Sequence, residues 1–124
     1  MDVGPELDES ATRMFDLARA GDTETLIAYV EAGVPVNLTN GKGDTLLMLA
    51  AYHGHAETVR TLAERGADPN RTNERGQTAL AGAVFKKESD VVRAHIDAGA
   101  DPNKGVPSAL DTARMFGLEH WLAP

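Results

Sequence analysis

His53-x-His55-x-Glu57 sets two imidazoles and a carboxylate within five residues. Two nitrogen ligands, one oxygen ligand and a bound water would make a hydrolytic zinc site. The local pattern speaks against it. Gly54 interrupts the run between the histidines and His55 opens the next helical stretch, so the two side chains should diverge. No metal and no cofactor are expected. A metal-dependent enzyme using His53, His55 and Glu57 is retained only as the weaker alternative. Asn40-Gly41-Lys42-Gly43-Asp44 is glycine-rich, but it lacks the spacing of a phosphate-binding loop and reads as a turn. No Ser-His-Asp set is recognisable by spacing. Ser10, Ser89 and Ser108 stand at helix starts, where a hydroxyl serves as a cap. There is no cysteine, which excludes disulfide and thiolate chemistry. The residues point to a protein that is not an enzyme.

The chain has 124 residues, enough for one domain with a modest core. Aromatic residues make up only 5%, which suits thin layers better than a globule built on large rings. The net charge of −7 is uneven. Residues 1–33 carry eight acids and two bases, or −6, whereas residues 34–124 carry eleven acids and ten bases, or −1. Residues 1–9 are expected to be a flexible acidic tail. No basic stripe of the kind that binds nucleic acid is present. No signal-like segment or long apolar run supports secretion or membrane insertion, and a cytoplasmic protein is expected.

The positioning elements come from a period. Gly66-Ala67-Asp68-Pro69-Asn70 returns 33 residues later at Gly99 to Asn103, and Gly33 to Asn37 is a looser copy one period earlier. The same shift superposes Gly43 on Gly76, Thr45 on Thr78, Leu47 on Leu80 and Val59 on Val92. Beyond the third copy the spacing shortens to 30, so that Thr78 falls on Ser108. A single domain, residues 10–124, therefore divides into units 10–40, 41–73, 74–105 and a truncated 106–124. Each unit reads as two short helices. In the second, Thr45 caps Leu46–Ala51, Gly54 ends that helix, and residues 56–65 form the next, with Val59, Leu62 and Ala63 on one side. Helices this short are marginal alone and must shelter against copies of themselves.

The segment from Gly43 to Asn70, GDTLLMLAAYHGHAETVRTLAERGADPN, resembles the ankyrin repeat. The resemblance spans about residues 10–122 and implies an all-α solenoid of stacked helix-turn-helix units with hairpin-like turn tips. There are departures. The family's Thr-Pro-Leu-His becomes Thr45-Leu46-Leu47-Met48 and Thr78-Ala79-Leu80-Ala81, so apolar packing must replace the usual Thr–His hydrogen bonds. Lys86-Lys87-Glu88-Ser89 replaces the glycine-containing turn between helices in the third unit. His95 stands where earlier units carry Tyr29 and Leu62, and a half-buried position is expected for it.

The resemblance also implies a role: binding a folded protein through the concave surface built from turn tips and first helices. At the tips the candidate contacts are Lys42, Asp44, Glu74, Arg75 and Gln77. At the ends of the first helices they are Arg19, Tyr52, Phe85 and Met115, followed by His53, Lys86 and Phe116. Arg19, Tyr52, Phe85 and Met115 recur at intervals of 33, 33 and 30 and should form a row. Aromatic residues, Met and Arg are enriched at protein interfaces. The tips are richer in Lys and Arg than in acids, which suits another protein with an acidic, partly apolar surface. Neither nucleic acid nor membrane is an expected partner, and a monomer is expected. A narrower role, as dedicated inhibitor or immunity partner of one enzyme, is an alternative. Trp121, the only tryptophan, should cover the end of the stack.

Overall fold

The structure, a computed structural model, describes the backbone of residues 4–124 and the side chains of residues 11–124. Among these, seven α-helices are followed by one 3-10 helix. They are α1 (Gly4–Ala20), α2 (Thr23–Glu31), α3 (Leu46–Tyr52), α4 (Ala56–Glu64), α5 (Ala79–Phe85), α6 (Ser89–Asp97), α7 (Ala109–Phe116) and the 3-10 helix Glu119–Leu122. Of the stretch 1–9 expected as a tail, residues 1–3 lie outside the described residues and α1 begins at Gly4. No helix among the described residues is long and apolar enough to cross a membrane.

The helices form two rows. α1, α3, α5 and α7 pack side by side as an inner row, and α2, α4, α6 and the 3-10 helix form an outer row behind them. The first helices start where hydroxyl caps stand. Thr45 Oγ1 accepts from Met48 N at 3.1 Å, Thr78 Oγ1 from Ala81 N at 3.2 Å, and Ser108 Oγ from Asp111 N at 3.1 Å. α3 and α5 have only seven residues each, and every residue of α3 before Tyr52 is buried. Two turns of helix without a solvated face are stable only between neighbours. The outer helices are amphipathic, and α4 buries Thr58, Val59 and Leu62.

Equivalent residues are translated copies. Leu47 is 2% exposed and Leu80 1%. Asn37 Oδ1 accepts the backbone N–H of Asp68 at 2.8 Å, and one period on, Asn70 Oδ1 accepts that of Asp101 at 2.7 Å. The missing Thr–His bonds are replaced as expected. Met48 is buried and its sulfur accepts the Thr45 N–H at 3.5 Å, while Ala81 is buried against neighbours.

Two features differ from, or add to, the sequence expectation. His95 is fully buried, not half-buried. It occupies the same inward slot as buried Leu62, and the 3-10 helix packs across α6. The turn after each first helix holds one residue in the left-handed conformation: φ is +72° at Gly21, +80° at Gly54 and +69° at Gly117. Lys87 fills this slot in the third unit at φ +58°, the sole non-glycine with positive φ among the described residues. An L-residue bears a steric cost there of roughly 1–2 kcal/mol.

The last helix pair is short. Its second helix is reduced to one 3-10 turn that buries Leu122 and packs half-buried Trp121 against the core, over the end of the outer row.

Candidate functional site

The two histidines are held by different helices. His55 Nε2 donates to the carbonyl of Arg19 at 2.7 Å, and its ring presses on Gly21, where an added Cβ would lie 2.5 Å from Nδ1. His53 Nδ1 donates to Leu49 O at 3.0 Å, on its own helix. His55 thus ties the first unit to the second, while His53 finishes α3. No group of three His, Cys, Asp or Glu among the described residues could hold a metal ion.

The inner row carries a groove of about 390 Å³ between α3, α5 and α7. It is lined by Tyr52 of α3, by Gly82 and Phe85 of α5 with Gln77 before them, and by Pro107 and Thr112 from the α7 side. Gly82 is inside a helix, where glycine is about 1 kcal/mol poorer than Ala. The reason is steric: a Cβ there would come within 2.7 Å of the Tyr52 ring. Tyr52 is therefore half-buried against α5, not a free anchor. Its hydroxyl is buried and has no hydrogen-bond partner. Burial, and next the charge of Asp44, push its pKa up to about 12.

Asp44 also departs from expectation. Only 8% exposed, it accepts from Asn73 Nδ2 at 2.9 Å, and the same amide donates to Gln77 Oε1 at 2.9 Å. It joins two turn tips, so its carboxylate is occupied. Lys42, Glu74, Arg75 and Gln77 are exposed at the tips, as expected. Asn40 Oδ1 accepts the N–H groups of Lys42 and Asp44, and Asn73 Oδ1 those of Arg75 and Gln77, each at 3.0 Å, so consecutive tips share one form.

At the opposite ends of the first helices the expected row is uneven. Arg19 is half-buried and bound to Asp16 at 3.1 Å. Phe85 and Met115 are 64% and 72% exposed. The Phe85 and Phe116 rings meet at 6.0 Å with a 59° tilt, and Lys87 Nζ stands 4.6 Å from the Phe116 centroid. Exposed Lys86 donates to the carbonyl of Tyr52. The apolar cluster thus spans α5 and α7, and Arg19 stands apart from it. Sequence reasoning gave no place on this face to Gly82 or Pro107, and named Lys87 only in the turn that lacks glycine. Gly82 inside a helical stretch was the legible signal.

Among the described residues, the ion pairs that join different repeats lie on the outer row. On the outer row Arg60 binds Asp97 at 3.0 Å, Arg65 binds Glu31 at 2.9 Å and Arg93 binds Asp97 at 3.1 Å. The hydrogen bond from Arg60 holds the Asp97 carboxyl below its usual value, against a smaller opposing effect of desolvation. On the inner face Lys42, Arg75, Lys86, Lys87 and Lys104 have no ion-pair partner among the described residues.

Residues 14–105 match the family model for ankyrin repeats, three copies. The chain belongs to the ankyrin repeat family. Ankyrin repeats are generally protein-binding modules and are typically non-catalytic. A protein of Pseudomonas aeruginosa named as an ankyrin repeat protein is 52% identical over 54 residues, covering 40% of this chain and 32% of that protein. The chain thus matches about a third of the length of this curated relative. The family match ends at residue 105, before the truncated fourth unit that contributes Met115 and Phe116 to the inner face.

Proposed function

We propose that this ankyrin repeat protein is a non-catalytic docking module that binds a folded partner protein through its concave inner face. The observation that carries this reading is the apolar cluster of Phe85, Met115 and Phe116 at the end of an open groove, two of whose members are largely exposed. Large exposed apolar residues gathered at one place mark an interaction site more often than scattered ones do. The supports are rigid: α5 is held between α3 and α7, so docking orders few side chains. A photoreactive residue placed at Phe85 in cells should crosslink to a partner in good yield, while one at Glu64 on the outer row should not. Equal yields from both positions would refute an inner-face site. Recovery of a single enzyme in the crosslink, with its activity suppressed by the module, would specify a dedicated inhibitor.

A further inference from the structure

The inner-face groove is lined by uncharged residues, and cations stand just before and just after its α5 lining in the chain. Its floor follows α5 from Thr78 to Phe85, a run of about 10 Å at the helical rise. Beyond Phe85 stand Lys86 and Lys87, and two residues before Gln77 stands Arg75. None of these three cations has a carboxylate partner among the described residues, whereas the outer-row arginines Arg60, Arg65 and Arg93 all do. Most of the −7 of the whole chain lies in residues 1–33, and Glu74 and Glu88, the chain neighbours of Arg75 and Lys87, form no ion pair with these cations among the described residues. Such an arrangement leaves the electrostatic complement to be supplied from outside.

The backbone gives a second, independent sign. Three of the four equivalent turn positions are glycine, but Lys87 holds the left-handed conformation in their place. Strain of that kind persists where surrounding structure over-determines it, and such sites cluster at ligand clamps. Here the conformation is accompanied by an ammonium 4.6 Å from the Phe116 centroid, beside the Phe85–Phe116 pair. A lysine over a ring face keeps its charge fixed at the edge of the apolar patch.

We propose that the partner presents to this groove an extended acidic segment, with a large apolar side chain between carboxylates, and that Lys87 is a specificity-determining residue for it. This rests on the inner-face docking reading above. An extended chain advances about 3.3 Å per residue, so carboxylates about five positions apart reach past both ends of this floor, toward Arg75 and Lys87. The apolar side chain between them enters beside Gly82 and Phe85, and the distal carboxylate meets the Lys87 ammonium at the Phe116 ring.

The probe is a synthetic peptide, Gly-Glu-Glu-Leu-Phe-Glu-Glu-Gly, followed by amide NMR on the intact chain at low and raised salt. At millimolar peptide, the shifts should gather at Gly82, Phe85, Lys87 and Phe116 and shrink as salt rises. A peptide with Ser in place of Leu and Phe should bind weakly, and one with Lys in place of Glu should not bind. Lys87→Gly and Lys87→Asn, both compatible with a left-handed backbone, should weaken binding about fivefold, the upper end for a partly exposed charge pair. The thermal midpoint of Lys87→Gly should rise at the same time. A merely structural lysine would give the rise without the weakening. Absence of shifts at millimolar peptide, equal binding of the basic peptide, or unchanged affinity in both Lys87 variants would overturn the proposal. The Phe85 crosslink to a partner would survive that failure, because it tests only where docking occurs.

Discussion

Asn73, in the turn tip ahead of α5, donates its side-chain amide to the carboxylate of Asp44, in the tip ahead of α3, at 2.9 Å. The bond joins consecutive tips next to a backbone bond from Glu74 N to Lys42 O at 3.1 Å. Asp44 thus serves the stack, although its position in the sequence suggests a free tip residue. A hydrogen bond to a charged group contributes roughly 1.5–3 kcal/mol, and leaving Asn73 unpaired adds to the loss. Asp44→Ala should lower unfolding free energy by about 2 kcal/mol in urea titration. A change within about 0.5 kcal/mol would mark the bond as incidental.

The equivalence of repeats predicts matched losses. Leu47 and Leu80 occupy the same slot in successive first helices, and both are essentially buried. Leu47→Ala and Leu80→Ala should each cost about 2–5 kcal/mol, the range for truncating a buried leucine. Urea unfolding of the two variants checks this. A surface-like loss at either position would show that the two layers are not copies.

His95 sets a pH dependence. Its Nδ1 donates to Val91 O at 2.9 Å, leaving Nε2 buried and without a partner. Burial lowers its pKa below the ordinary 6.5, and the bond to Val91 opposes this only in part. The unfolded chain therefore takes up the proton more readily than the folded one. Stability is whole above the ordinary value and declines as pH falls through and below it. Asp97 also loses stabilising contacts in acid, but only below the ordinary carboxylate value of 3.8. His95→Leu, which installs the residue found at Leu62, should remove the decline that begins near pH 6.5. It should also raise stability at neutral pH by about 1 kcal/mol, by deleting an unsatisfied polar atom. Thermal midpoints of both proteins across pH 7.5 to 5, a range of about one unit on either side of the ordinary histidine value, would check this. Parallel curves would refute the assignment.

The repeat family, the stacked all-α fold and the helix starts were legible because each rests on local chemistry repeated at a fixed spacing. Thr45, Thr78 and Ser108 cap wherever they recur, and Leu47 and Leu80 face inward wherever they recur. The candidate docking face was less legible, because it depends on what one repeat places against the next. Tyr52 and Phe85 are equivalent in sequence, yet Tyr52 lies on Gly82 whereas the equivalent neighbour of Phe85 is Thr112 on α7. A single glycine in the following helix decides which ring is partly buried and which stays exposed. Contacts between repeats also place Thr58, whose hydroxyl pairs with that of Thr23 at 2.7 Å and whose side chain is buried.

Tyr52 and Phe85 should therefore respond differently to substitution. The Tyr52 hydroxyl is buried without a partner, so Tyr52→Phe should raise stability by about 1 kcal/mol. Tyr52→Ala would empty the space over Gly82 and cost roughly 2 kcal/mol, about half the loss of a fully buried ring. Phe85 is 64% exposed and touches mainly Phe116, so Phe85→Ala should change stability by no more than about 0.5 kcal/mol. If the inner face docks a partner, the same substitution should weaken capture at least tenfold, about 1.4 kcal/mol, as expected of an interfacial anchor. Paired measurement of thermal midpoint and partner affinity on each variant separates the two roles. Loss of folding in Phe85→Ala would make that ring part of the core, and unaltered affinity with intact folding would remove it from the docking face.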